Sequence, residues 1–253
     1  MTEKEKVFNK IATEEAQRQG DNIGNFEYYS YYLCPDQYVG LIKDFKEDDK
    51  KTKDDFPVRY NTGVVENILI LILESPHRDE FYAEAVKDEN GTVIHHKGDP
   101  IGPANGPTGR NIRKHIAEIF PNFSNYHLIL MNAIPFQCSL GLDLNNNKPN
   151  QKTRDEVFKA AWDNDAIGKE FFEGRLRVLL DKLPKNSKNV VIVNACTKDN
   201  DDKKQSGRKT NVTNVIKELI KTKTAVKEVW ETPHPSSGCW CAHKYCEKIY
   251  PEN

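Results

Sequence analysis

Three polar side chains of the kinds that can break a bond to a nitrogen heterocycle stand at the ends of three apolar runs. Glu74 follows Asn67–Leu73 (NILILIL), Asn132 closes Tyr126–Asn132 (YHLILMN), and His234 comes shortly after Val226–Glu231 (VKEVWE), in the segment Thr232-Pro233-His234-Pro235-Ser236-Ser237-Gly238. A carboxylate orients water or stabilises a cationic sugar. An amide offers a donor and an acceptor to the edge of a pyrimidine, and an imidazole donates to a carbonyl oxygen on which negative charge grows as the base departs. Each residue has an ordinary alternative: a loop or helix-capping carboxylate, a turn asparagine, a loop histidine. Their common position is what argues for chemistry.

That position rests on the elements around them. The first two runs and Asn189–Val193 (NVVIV) are apolar on consecutive positions, as strands covered on both faces are. Helical spacing occupies Thr108–Phe120, Thr153–Leu183 with a break near Ile167, and Thr213–Lys221. Strand and helix in alternation predict an α/β fold, a three-layer α/β/α sandwich with a four-stranded, mostly parallel sheet. Ligands of such sheets bind beyond the carboxyl ends of the strands, where Glu74, Asn132 and His234 would meet. Residues 2–19 read as a helix with Val7, Phe8, Ile11 and Ala12 apolar, and Tyr28–Phe45 is aromatic-rich with weaker helical spacing. The mixed charges of residues 43–55 (KDFKEDDKKTKDD) read as a solvated loop or helix face. The chain therefore divides into a helical N-terminal appendage, residues 1–60, and the α/β/α domain, residues 61–253.

Glu74-Ser75-Pro76-His77 after the first strand, Asn132 closing the second and His234-Pro235-Ser236-Ser237 after the fourth resemble the motifs of the uracil-DNA glycosylase superfamily. The Glu-Ser-Pro segment is closest in style to that superfamily's Glu-Ala-Pro branch. Gly102–Asn111 (GPANGPTGRN) is similar to its Pro- or Gly-rich loop that presses on the DNA backbone. The resemblance implies an enzyme that flips a nucleotide out of DNA and hydrolyses its N-glycosidic bond, leaving an abasic site. It implies that Glu74 acts on the attacking water or the sugar cation, Asn132 reads the Watson–Crick edge, and His234 stabilises the departing oxyanion. Ser75, Pro76 and His77 would line the pocket, with Phe136, or else Phe81, stacking on the base. Gly109, Arg110, Asn111, Ser236 and Ser237 would hold phosphates. Ser75 and His77 replace the Asp and the methyl-excluding Tyr of the most active branch, so strict uracil selectivity does not follow. Trp240, near the place of the wedge Leu of several branches, either fills the vacated stack or packs under a C-terminal helix.

Composition narrows the rest. The net charge of -1, from 37 basic and 38 acidic residues, excludes a histone-like polycation but not a local basic cleft. No apolar run reaches the ~20 residues that span a bilayer, and the charged first twenty residues lack a signal-peptide core. A cytoplasmic location and no membrane partner are expected. Six cysteines do not form a disulfide framework, and Cys239, Cys241, His243 and Cys246 lack metal-knuckle spacing. Neither metal nor cofactor is expected. No lysine matches a Schiff-base position, so the expected activity is monofunctional. Residues 198–209 (KDNDDKKQSGRK) read as a mobile loop, with contact to the DNA backbone as the alternative. Two other functions stay open: a glycosylase for bulkier modified bases in foreign DNA, serving defence, and a DNA- or protein-binding module that keeps the fold without catalysis.

Overall fold

The computed structural model of the chain describes residues 2–20, 37–44, 67–77, 80–82, 84–97, 99, 104, 106–138, 151–183, 189–198, 207–223, 225–241 and 243–250. Its helices are α1 (Glu3–Arg18), α2 (Pro107–Ile119), α3 (Gln151–Trp162), α4 (Lys169–Lys182) and α5 (Arg208–Ile220). Its strands are β1 (Gln37–Leu41), β2 (Asn67–Leu73), β3 (Val86–Lys87), β4 (Val93–His95), β5 (His127–Asn132), β6 (Asn189–Asn194), β7 (Val226–Glu231) and β8 (Glu247–Tyr250). The fold is α/β. The main sheet runs β1-β5-β2-β6-β7-β8, while β3 and β4 form a separate hairpin.

The consecutive apolar positions of β2 follow from its central place. Ile68, Ile70 and Ile72 enter one core with residues of α1, α3, α4 and α5; Leu69, Leu71 and Leu73 enter a second core with Ile112, Ile116 and Ile119 of α2. Each buried aliphatic side chain contributes roughly 1.5–3 kcal/mol by leaving water. Neither face can accept a polar residue, so polar chemistry is confined to where the strands end.

β5, β2, β6 and β7 are mutually parallel and coincide with the four expected strands. The sheet itself is larger and mixed, because β1 pairs antiparallel with β5 and β8 antiparallel with β7. Gln37–Leu41 lies in the aromatic-rich stretch expected to be helical; it is a strand, with a bulge between Tyr38 and Gly40, because the edge of β5 offers it a backbone ladder. Residues 28–36 of that stretch, and most of the charged run that follows, lie outside the described residues. The N-terminal segment is thus not helical throughout, and its described parts build into the domain.

α1 shows how closely. A capping box between Thr2 and Glu5 starts it. Phe8, Ala12 and Ala16, spaced to share one face, are buried in the first core, where the Phe8 ring stacks on Phe136 at 5.0 Å between centroids, 15° from parallel. Phe136 is fully buried there. It does not line the cavity described below, so its expected place against a base is withdrawn: an aromatic just after a strand was needed to seal the sheet under α1. Phe136→Ala is expected to cost ~3–5 kcal/mol in urea unfolding, with the loss non-additive in the Phe8→Ala background because the two rings share one contact.

Candidate active site

From β2 the chain crosses to β5 on one side, then returns past β2 to β6 on the other. The carboxyl ends of β2 and β6 therefore flank the point at which strand order reverses, where open α/β sheets hold their ligands. A cavity of about 370 Å³ opens there. The loop after β2 supplies Glu74, Ser75, Pro76 and His77 to its wall, with Glu80 just beyond. α2 contributes its N-terminus, Gly106 to Thr108; α3 contributes Arg154; Thr197 follows β6, and His234 and Ser236 follow β7.

Glu74 is only 4% exposed. Its Oε1 accepts from Arg208 Nη1 at 2.9 Å and lies 3.8 Å from Arg154 Nε, while Oε2 accepts the Thr197 N–H at 3.4 Å. Arg208, 5% exposed, also donates to Asp155 Oδ1 at 2.7 Å, and Arg154 Nη2 donates to the same oxygen at 2.8 Å. Burial alone would raise the Glu74 pKa. Arg208, Arg154, the Thr197 amide and His234 together outweigh it and hold the carboxyl below the usual range. Glu74 is an anion at neutral pH.

His234 is the neutral counterpart. The Ser236 N–H donates to its Nδ1 at 3.2 Å, and Ser236 Oγ lies 2.8 Å from the same nitrogen. A nitrogen that accepts a backbone N–H carries no proton, so the proton of the neutral ring sits on Nε2. Burial lowers the His234 pKa to about 4; Glu74 opposes the shift, and Arg154, Lys209 and Arg208 reinforce it. The ring therefore presents an uncharged N–H donor at neutral pH.

Asn111 fixes the loop that carries His234. Its side-chain amide donates to the Pro235 carbonyl at 2.8 Å, and its own carbonyl accepts the Trp240 indole N–H at 3.2 Å. Asn111 is therefore a brace between α2 and the His-Pro-Ser turn, with one of its two side-chain N–H donors committed to that bond. Trp240 is 2% exposed in the second core, which withdraws the wedge reading in favour of packing. Gly109 is buried, and only glycine fits there because a Cβ would lie 1.6 Å from the Ala104 carbonyl oxygen. Arg110 is exposed, and Ser237, partly buried, donates its N–H to the His234 carbonyl at 2.8 Å.

Comparison with protein-family models, curated proteins and solved structures finds no match to this chain. The site is read from its own geometry.

Glu74 and His234 come together, and Asn132 stands beside them without lining the cavity. Asn132 is the register partner of Leu73, a wall residue. It is 3% exposed, and its Oδ1 has no hydrogen-bond partner among the described residues. Phe81, the other stacking candidate, is 2% exposed and outside the cavity lining. Among the described residues no group of three or more His, Cys, Asp or Glu is arranged for a metal. Cys239 and Cys241 are exposed, and the His243 ring meets the Ile119 carbonyl at 2.6 Å.

The motifs do not contain Arg208, Arg154, Asp155 or Thr197. One signal could have found the arginines. Arg208 and Arg154 occupy first turns of α5 and α3, where the helix dipole disfavours a cation, so each needs a carboxylate nearby.

The His234 shift sets a pH dependence of stability. A folded pKa of about 4 against 6.5 for the free ring means that its contribution is complete above pH 6.5 and is lost as pH falls toward 4; Glu74 adds a further loss below 4.5. In circular-dichroism melts the wild-type Tm is expected to fall between these pH values, and His234→Ala to flatten that slope. Equal slopes would show that the imidazole is not held neutral.

Proposed function

We propose that this chain is a monofunctional DNA glycosylase that hydrolyses the N-glycosidic bond of uracil or a related modified pyrimidine flipped out of DNA. The observation that carries the reading is the meeting, in one cavity at the switch point, of an ionised Glu74 with a neutral His234 whose Nε2 holds the ring proton. As the C1′–N bond breaks, positive charge grows on the sugar and negative charge on the base. An anionic carboxylate complements the first and orients the incoming water. A neutral imidazole donor complements the second without itself losing a proton. Water then adds to C1′ and loses one proton to solvent, while the base leaves as an anion that takes up a proton from solvent to become the free heterocycle. No cofactor enters this chemistry.

The electrostatics of the cavity rim suit a polyanion. The N-termini of α2, α3 and α5 all come to this end of the sheet through Thr108, Arg154 and Arg208. α2 has no side-chain cap, and Thr108 and Gly109 have no intrahelical acceptor for their amides. Exposed Arg110 sits on the same first turn. A patch of this kind steers DNA although the whole chain carries only -1.

One observation favours the defence alternative over uracil. Among the described residues that line the cavity there is no Phe, Tyr or Trp, and none of these described residues sets an aromatic ring against a substituent at the pyrimidine 5-position. The reading therefore extends to bulkier modified bases.

Oligonucleotides carrying uracil, hypoxanthine or substituted cytosines, treated with protein and then alkali, test both. Strand breaks are expected at one class of base. His234→Ala is expected to lower turnover about 10²- to 10³-fold with little change in DNA affinity. Binding to DNA without alkali-labile sites on any substrate would establish the non-catalytic module instead.

A further inference from the structure

The cavity holds more charge than the proposed chemistry uses. Glu74 and His234 account for one anion and one neutral donor, yet Arg208, Asp155 and Arg154 stand behind Glu74 in a continuous ion network. Arg208 is the centre of it. It is 5% exposed, its Nη1 donates both to Glu74 Oε1 at 2.9 Å and to Asp155 Oδ1 at 2.7 Å, and it begins α5 at the end of the polar 198–209 stretch.

The two carboxylate oxygens of Glu74 are treated differently. Oε1 faces both guanidinium groups, whereas Oε2 faces the cavity-lining Thr197 and receives only its N–H at 3.4 Å. A carboxylate oxygen has two lone-pair sites, so Oε2 keeps acceptor capacity that Oε1 has used. A free glutamate side chain would rotate and exchange the two oxygens. A buried guanidinium fixed by a second carboxylate prevents that exchange, because its donors are directional and its own position is pinned.

We infer that Arg208, anchored by Asp155, is a positioning residue that locks Glu74 with its Oε2 edge turned to the cavity. This role rests on the glycosylase reading for its catalytic consequence, but not for its geometry. The charged or titratable groups that bear on Glu74 are Arg208 from α5, Arg154 and Asp155 from α3, His234 after β7 and Cys138 after β5. Of these, only Arg208 combines full burial with direct contact to the carboxylate. Its removal therefore changes Glu74 more than any other single substitution in the group.

The experiment compares Arg208→Gln, Arg208→Lys and Asp155→Asn with the full-length wild type. Carbon-13 NMR titration of the Glu74 carboxyl group reads the pairing without any substrate. The pH profiles of kcat and KM on the cleaved oligonucleotide read its consequence. Arg208→Gln is expected to raise the Glu74 titration and the acid limb of kcat by about one to two pH units. It should lower kcat about 100-fold with KM changed less than about threefold. Arg208→Lys should recover part of both, whereas Asp155→Asn, which removes a neighbouring anion and leaves Arg208 in place, should lower the Glu74 titration while reducing kcat by loosening the guanidinium anchor. If Arg208→Gln does not fold, Arg208→Lys decides the question: wild-type kcat in that variant overturns the inference, and a lowered kcat with KM little changed upholds it. A folded Arg208→Gln protein whose Glu74 titrates as in the wild type overturns the inference. A shifted titration in a protein that cleaves no substrate upholds the pairing and refutes the glycosylase reading, so the two fail separately.

Discussion

The ion pair between Glu74 and Arg208 is the interaction on which the arrangement of the site depends. Taking two charges out of water costs several kcal/mol per ion, and their attraction repays this only when geometry is good and the remaining donors and acceptors are satisfied. Here Asp155 and Arg154 extend the pair, and the Thr197 amide donates to the carboxylate's other oxygen. Such networks are weak devices for stability, since apolar residues of similar volume often serve as well. What the network does provide is fixed position. It ties the end of β2 to the first turns of α3 and α5, elements separated by long stretches of chain, and so sets the geometry of one side of the cavity.

The same network explains how three helix N-termini can share one end of the sheet with cations in their first turns. Each N-terminus carries a partial positive charge of about half an electron unit, so Arg154, Arg208 and Lys209 there repel the helix ends as well as one another. Two carboxylates, Glu74 and Asp155, absorb the arginines, and Lys209 is drawn to the Thr232 carbonyl beside the His234 loop. The interior of the patch is thereby balanced, while Thr108, Arg110 and the half-buried Arg154 keep its rim electropositive. In the glycosylase reading, a cavity balanced within and positive at its mouth would take a flipped base into the interior and leave the phosphates outside.

Much of this was legible in the sequence, for a reason that also marks where legibility ends. β2, β5 and β6 are buried on both faces and can hold nothing but apolar residues, so their consecutive Ile, Leu and Val run reveals them. β1 and β8 pair on one side only; their sequences, QYVGL and EKIY, carry no run and no clean alternation, and only the adjacent edge selects them. Glu74 and His234 were legible because each stands where a strand must end. Phe136 stands in a similar place and proved to be core, since an aromatic after a strand can seal the sheet as readily as face a ligand. Arg208 was hidden in a run of mixed charge whose polarity looks like that of any solvated loop; its burial follows from its contact with Glu74, a pairing 134 residues apart that no local pattern encodes.

Asparagine closes both β5 and β6, and the contrast between the two separates a structural amide from one with capacity to spare. Asn194 is fully buried and spent: its amide nitrogen donates to the Lys209 carbonyl and to Thr213 Oγ1, each at 2.9 Å, and its oxygen accepts the Cys196 N–H at 3.0 Å. It holds α5 against β6. Asn132 is buried almost as deeply, yet its Oδ1 has no partner among the described residues, a condition that costs roughly 1–3 kcal/mol. A fold has no structural gain from such an acceptor, whereas an amide that reads the edge of a base must hold its acceptor uncommitted by the protein. Asn132 lies on the same face of the sheet as its register partner Leu73, a cavity-wall residue one position from Glu74. The spare acceptor, and not the position at a strand end that both asparagines share, is what distinguishes Asn132 from Asn194.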